Sequence, residues 1–351
     1  MTGLATSRPG GQNPHRERRR ASSRVWMTGA VLALLVALAF LLSLMIGPAA
    51  VGLGALFGQL TGGEADTAIL IMREIRLPRS LLALMIGATL GISGAALQGF
   101  LRNPLAEPGV IGVSAAAALG AVIALYTGLS TSQPLALPAF AIGGALAAVL
   151  VLQVLSGGAS TLTLILAGVA ISSLAGALTS LALNLSPSPL AVQEILFWML
   201  GSITDRSMVH VALAAPFIVM GIGLLLASAR DLEALTLGEE AASSMGVNLN
   251  RVRLLVVLGT AISVGAATAV SGVIGFIGLV VPHLLRPLVG HRPALLLPVS
   301  ALGGALLLLC ADIAVRLITP GVELKLGVLT ALIGAPFFLW IVLKSRGGRM
   351  T

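Results

Sequence analysis

The chain has 351 residues, of which 57% are hydrophobic and 10% charged, and its mean hydropathy is +1.04. Soluble domains carry about 25% charged residues, so this composition excludes a water-exposed globule and specifies an all-α polytopic membrane protein with one embedded domain. The formal charge of +8 fits basic cytoplasmic loops and not nucleic-acid binding, and a single cysteine, Cys310, excludes an intramolecular disulfide or a CxxC site.

Residues 1–24 are rich in Arg, Pro, Gly and Ser and read as a disordered basic cytoplasmic tail. The apolar run Val25–Ile46 that follows holds about 22 residues, ~33 Å as a helix. That exceeds a signal-peptide core of about 7–15 residues, so the run is the first transmembrane helix. Further spans are expected near 79–100, 109–127, 135–155, 161–184, 207–228, 252–271, 273–289, 294–317 and 325–343, about ten in all. The eighth is short and broken by Pro282 and His283. Most of the 42 glycines lie inside spans, as in Gly87–Gly94 and Gly303-Gly304. Small residues let helices approach closely in lipid, so a compact bundle is expected. The second and seventh spans share a Gly/Ser/Ala pattern in opposite senses, which would suit an inverted repeat.

Arg102, Asn103, Pro104 and Glu107 fall in the turn after the second span. Its two prolines forbid a continuous helix. The polar groups there either satisfy backbone groups freed by the break or take part in gating.

The longest polar interruption is Arg230–Arg253. Thr236 and Glu239 have capping-box spacing, and Gly246 stands where a helix C′ glycine belongs. Leu237, Ala241 and Met245 share one face of this short helix, with Glu239, Glu240, Ser243 and Ser244 facing away. A docking point for another protein is the expected use.

With the N-terminus inside, most Lys and Arg fall on cytoplasmic segments, including Arg230, Arg251, Arg253, Arg286 and Arg292. The outer set is Arg73, Arg76, Arg79, Arg206, Arg316 and Lys325. This bias places both termini and residues 230–253 in the cytoplasm. The spans hold almost no ionisable groups for ion coupling. Asp312 and Arg316 read as an i,i+4 pair at the end of the ninth span, and His283 as a capping or packing group. No P-loop is present. A transporter of this kind needs an external motor. A secondary transporter lacks its coupling residues here, and an intramembrane enzyme lacks a nucleophile–base pair or a metal cluster.

Six motifs occur in order: Arg76-Leu-Pro-Arg79, Gly94-Ala-Ala-Leu-Gln-Gly99, Arg102-Asn-Pro-Leu-Ala-Glu-Pro-Gly109, Phe197-Trp-Met-Leu-Gly201, Gly275-Phe-Ile-Gly-Leu-Val-Val-Pro-His283 and Leu332-Ile-Gly-Ala-Pro-Phe337. Over roughly residues 25–345 the chain resembles the FecCD-type permeases of bacterial ABC importers, which take up ferric siderophores, haem and vitamin B12. The resemblance implies a multi-pass subunit of the inner membrane that pairs with a second copy or a homologous chain. Two cytoplasmic ATPases would drive it, and an extracytoplasmic binding protein would deliver cargo. ATP–Mg would belong to the ATPase, leaving this chain without a cofactor or catalytic role. Glu240-Ala-Ala-Ser-Ser-Met-Gly246 also fits the importer pattern E-A-A-x-x-x-G. That makes Leu237, Gly238, Glu239, Glu240, Ala241, Ala242, Met245 and Gly246 the expected ATPase-coupling helix.

By the same resemblance, Arg73, Arg76, Arg79 and Arg316 would receive acidic side chains of the binding protein through bidentate guanidinium contacts, or else anchor lipid headgroups. Ser160 and Thr161 fall at the family's cytoplasmic gate. Ser172 and Ser173 lie on its pore-lining span, where their hydroxyls either face the pore or bond back to the helix. The cargo expected is a ferric complex, with haem and cobalamin as alternatives.

Overall fold

The computed structural model describes residues 14–47, 67–133, 135–156, 161–186, 188–318 and 324–347, and every regular element among them is a helix. Helix α1 (Pro14–Met45) starts inside the predicted tail. Pro14 stands at the first helical position, where its missing N–H costs nothing, and the Arg- and Ala-containing stretch after it contains no helix breaker. Residues 1–13 of that tail and the C-terminal residues 348–351 lie outside the described residues.

Helix α2 (Thr67–Phe100) is longer than the span expected at 79–100. Its N-terminal third passes through a π turn, Met72–Arg76, closed by Leu77 N–H donating to Met72 C=O. Pro78 follows directly. A proline there has no N–H to give and clashes with the preceding turn; the widened turn absorbs that conflict, so the helix continues where sequence rules stop it.

The other predicted spans appear as α3 (Val113–Tyr126), α4 (Ala136–Ser156), α5 (Thr161–Asn184), α7 (Met208–Ala227), α10 (Leu249–Ser271), α11 (Ile277–Leu285, continued as a 3₁₀ turn to Val289), α12 (Pro293–Ile318) and α13 (Leu326–Gly347). Between α5 and α7 lies an unpredicted helix, α6 (Pro189–Met199), opened by Pro189 with the Ser188 hydroxyl accepting from Ala191 N–H. The polar stretch folds as α8 (Ala229–Leu235) and α9 (Glu239–Ser244). Among the described residues seven helices are long and apolar enough to cross a membrane, and α3, α6, α11 and α13 are shorter apolar helices.

Within their apolar windows α2 is 78% and α10 83% buried, against 17–28% for α1, α4, α5 and α7. The two glycine-patterned spans therefore form the centre, and the others turn leucines such as Leu38, Leu150, Leu166 and Leu178 outward. Helix α12 lies antiparallel against α2 at backbone contact. A Cβ on Gly87 would sit 2.3 Å from Gly304 O, and one on Gly304 would sit 2.1 Å from Gly87 O. Lipid tails supply no hydrophobic drive between helices, so this close packing is what holds the pair together.

Candidate functional site

Two polar regions stand out, one at each end of the bundle. The first begins where α2 ends. Arg102 adopts a left-handed backbone (φ 48°) that non-glycine residues seldom take, turning the chain into residues 101–112. Asn103 shapes the turn: its N–H donates to Gln98 C=O (3.2 Å), its side-chain oxygen accepts from Leu105 N–H (2.9 Å), and its carbonyl accepts from Ala106 N–H (3.1 Å). Pro104 sits inside this Asx-type turn, where fixed φ is useful. Ala106 and Ile111 are buried. Glu107 reaches the start of α11, where burial pushes its carboxyl up and the backbone hydrogen bond at Phe276 pulls it back. Phe276 is itself left-handed (φ 66°), which lets the non-helical segment before α11 turn inside the bundle. Gln98, buried at the end of α2, donates to Gly278 C=O (3.2 Å) and accepts from Arg286 (2.6 Å), tying α2 to α11.

Next to this turn lies α9. Its N-terminus is not the predicted capping box. Thr236 is instead the C-cap of α8, with its hydroxyl donating to Glu233 C=O (2.7 Å), and Gly238 (φ 106°) opens α9 without a side-chain cap. The Glu239 carboxylate is drawn away by Arg102, whose guanidinium donates to it at 2.9 Å. A direct charge-assisted bond wins over a backbone cap. The other end is as the spacing predicts. Gly246 (φ 87°) donates to Ser243 C=O (2.9 Å) and Val247 N–H to Ala242 C=O (3.0 Å), the paired bonds of a Schellman motif.

Ala242 is fully buried and joins Leu232 and Leu235 of α8 in the main core. Arg292 at the foot of α12 holds Glu233 of α8 at 2.7 Å. The predicted face Leu237–Ala241–Met245 does not lie on one helix: α9 spans only Glu239–Ser244, and Gly238 at φ 106° breaks the helical phase ahead of it. All three side chains are nevertheless exposed, Leu237 at 66% and Met245 at 64%. Glu239 and Glu240 stand exposed between Leu237 and Ala241.

Ser172 on α5 donates to Gly109 C=O (3.2 Å), fastening α5 to the 101–112 segment, while Ser173 is exposed. Ser180 bonds back to Gly176 C=O (3.0 Å). Ser160 lies outside the described residues, and Thr161 is described only as the first residue of α5.

At the other end of the bundle, the arginines expected to face a docking protein turn mostly inward. Arg76 is 3% exposed and donates to Leu44 and Met45 carbonyls, both at 2.8 Å. Arg316 donates to Ser43 C=O (2.7 Å) and Ile46 C=O (2.9 Å) and to the Ser43 hydroxyl (2.9 Å). Asp312 is fully buried between Arg79 (2.8 Å) and Arg316, which donates to its other oxygen. The physical reason for the inward turn is the C-terminus of α1: its last carbonyls have no intrahelical donor, and cationic side chains satisfy both them and the helix dipole. Exposure to solvent holds for Arg73 alone of the four, beside Glu74 at 3.5 Å. The i,i+4 spacing indicates the Asp312–Arg316 pair; the Arg79 contact crosses between helices and carries no local signal. His283 packs edge-on against Phe337, ring centres 5.9 Å apart. Among the described residues no three His, Cys, Asp or Glu side chains converge on a point.

The fold is an all-helical multi-pass body whose longest polar interruption carries a short exposed helix, α9. Residues 34–344 match the FecCD transport family, and the chain belongs to it. It is thus a permease of the ABC transporter class. It is 41% identical over 307 residues to the Fe(3+) dicitrate transport system permease protein FecD of Escherichia coli, covering 87% of this chain and 95% of that one. The hemin transport system permease protein HmuU of Yersinia pestis is 40% identical over 330 residues, covering 92% and 97%. The vitamin B12 import system permease protein BtuC of Shigella boydii is 40% identical over 336 residues, covering 94% and 98%. A solved structure described as an inward-facing conformation of a metal-chelate type ABC transporter superposes with a TM-score of 0.81 at 33% identity, covering 90% of this chain and 98% of that one.

Proposed function

We propose that this chain is the permease subunit of an importer that carries a ferric siderophore or related metal chelate across the bacterial inner membrane into the cytoplasm. About ten spans put both termini and the α8–α9 segment on the cytoplasmic side. Two permease copies form the path, two separate ATPases with their ATP–Mg drive it, and an extracytoplasmic binding protein loads it. The observation that carries this reading is the exposure of the apolar side chains Leu237, Ala241 and Met245 within and beside α9. Exposed apolar side chains among carboxylates, outside any span and around a short helix anchored from behind by Ala242, make a protein-docking surface. Arg73 is the arginine left for the binding protein, and the start of α5 with Thr161 is the gate. A ferric cargo is the broadest use in the family; the three relatives named above carry different cargos at nearly equal identity, so cargo is decided by assay.

The test is proteoliposome uptake of ferric citrate, hemin and cyanocobalamin, with the cognate ATPase and binding protein present or withheld. ATP-dependent uptake of one of them is expected, and Leu237→Asp combined with Met245→Asp abolishes ATPase association. Uptake that continues without the ATPase overturns the proposal.

A further inference from the structure

The docking helix and the interior of the bundle are joined by one exposed ion pair and one shaped segment. Glu239, the first residue of α9, is bonded to Arg102 at 2.9 Å. Arg102 is the left-handed residue at which α2 gives way to 101–112. From there the segment makes contact with two membrane-embedded elements. The Ser172 hydroxyl on α5 donates to Gly109 C=O (3.2 Å), and Val110 C=O lies so close to α5 that a Cβ on Gly168 would come within 2.4 Å of it. On the other side Pro108 lies against Gly278 at the start of α11; a Cβ there would be 3.1 Å from the Pro108 ring.

We propose that residues 101–112 transmit movement of α9 to α5 and α11, with Arg102 as the positioning residue that links the segment to Glu239. This rests on α9 being the ATPase-docking helix. The physical case is contiguity plus conformational leverage. A residue held at positive φ is a backbone pivot maintained by its surroundings, here the Asn103 turn, and the side chain at that pivot is bonded to the docking helix itself. On the far side the segment meets α5 backbone against backbone and α11 through the Pro108 ring against a glycine, so a displacement of 101–112 has to be shared by α5 and α11. A coupling measurement separates this from an ordinary surface contact between Arg102 and Glu239.

The experiment is a charge-swap cycle, Arg102→Glu, Glu239→Arg and both together, in nanodiscs with the cognate ATPase. Both sites are exposed, so folding tolerates the changes. ATPase turnover and hydrogen exchange are read with and without vanadate trapping. In the wild-type chain, trapping alters exchange in α9, in 101–112 and in the first half of α5. Arg102→Glu keeps the α9 response and loses the other two, and each single variant lowers trapping-competent turnover by about threefold, the size an exposed ion pair supplies. The double swap restores both readouts. Retention of the 101–112 response in Arg102→Glu, or a double swap no better than either single, overturns the inference. Failure of the wild-type chain to bind the ATPase at all is a different result, which overturns the docking assignment of α9.

Discussion

Asp312 is the most consequential single side chain outside the docking corner, and its replacement by asparagine isolates the reason. The carboxylate is fully buried and lies between Arg79 and Arg316, whose side chains are 16% and 7% exposed. In Asp312→Asn the side chain keeps its shape and one acceptor, but the new amide points two hydrogens at a guanidinium. Breaking a buried ion pair by removing one partner typically loses about 3–5 kcal/mol, because the remaining charge is stranded. Arg316 retains Ser43 and Ile46 as acceptors, so the lower end applies, about 3 kcal/mol. The assay is reversible unfolding in mixed micelles followed by tryptophan fluorescence. A double-mutant cycle with Arg79→Met sharpens it: once Asp312 is gone, losing Arg79 removes a stranded cation, so the two changes are strongly non-additive, by about 2 kcal/mol. A loss under about 0.5 kcal/mol for Asp312→Asn, or simple additivity, refutes the reasoning.

Gly304→Val drives a side chain into the Gly87 carbonyl and separates α2 from α12, with a loss of at least about 3 kcal/mol or no folded protein; Gly223→Ala, which meets open space, leaves thermal stability unchanged in the same detergent. Gly246→Ala strains the Schellman turn at φ 87° and weakens ATPase affinity by about fivefold, near 1 kcal/mol, with normal membrane insertion as the control. Glu107 has its carboxyl raised by burial, so above the usual carboxylate range the folded chain holds a proton the unfolded chain has released. Stability from this group is therefore present at low pH and declines as pH rises through the raised value; Glu107→Gln removes that slope in unfolding measurements between about pH 4 and about pH 8. Arg76→Met orphans the Leu44 and Met45 carbonyls and speeds hydrogen exchange at the end of α1, while exchange in α10 stays as in wild type.

The features that were legible from sequence are those with a local physical cause. Hydropathy placed the long spans, the glycines within them indicated close helix packing without saying which helices meet, and Gly246 ended α9 where predicted. What escaped is long-range. Thr236 and Glu239 carry the right spacing for a capping box, yet Arg102, 137 positions away, takes the carboxylate. Arg76, Arg79 and Arg316 read as outward charges because the acceptors they serve belong to α1 and to Asp312. The π turn before Pro78 reverses a reliable helix-stop rule, and it needed tertiary packing around Met72 to do so. Membership of the family was legible because its motifs combine backbone-shaping residues, Pro and Gly above all, in a fixed order.

The end of α1 carries a consequence for how the chain is made. Its carbonyls at Ser43 and Ile46 are satisfied by Arg316, 273 and 270 positions downstream. A helix inserted first thus stays unfinished until one of the last helices has crossed and docked. Until then the newly made α1 has open acceptors at its C-terminal end and most of its flank uncovered by protein. Closure of that end is a physical record that the intervening helices have been threaded and packed, and a chain truncated before residue 316 is expected to expose the unclosed end to membrane proteases.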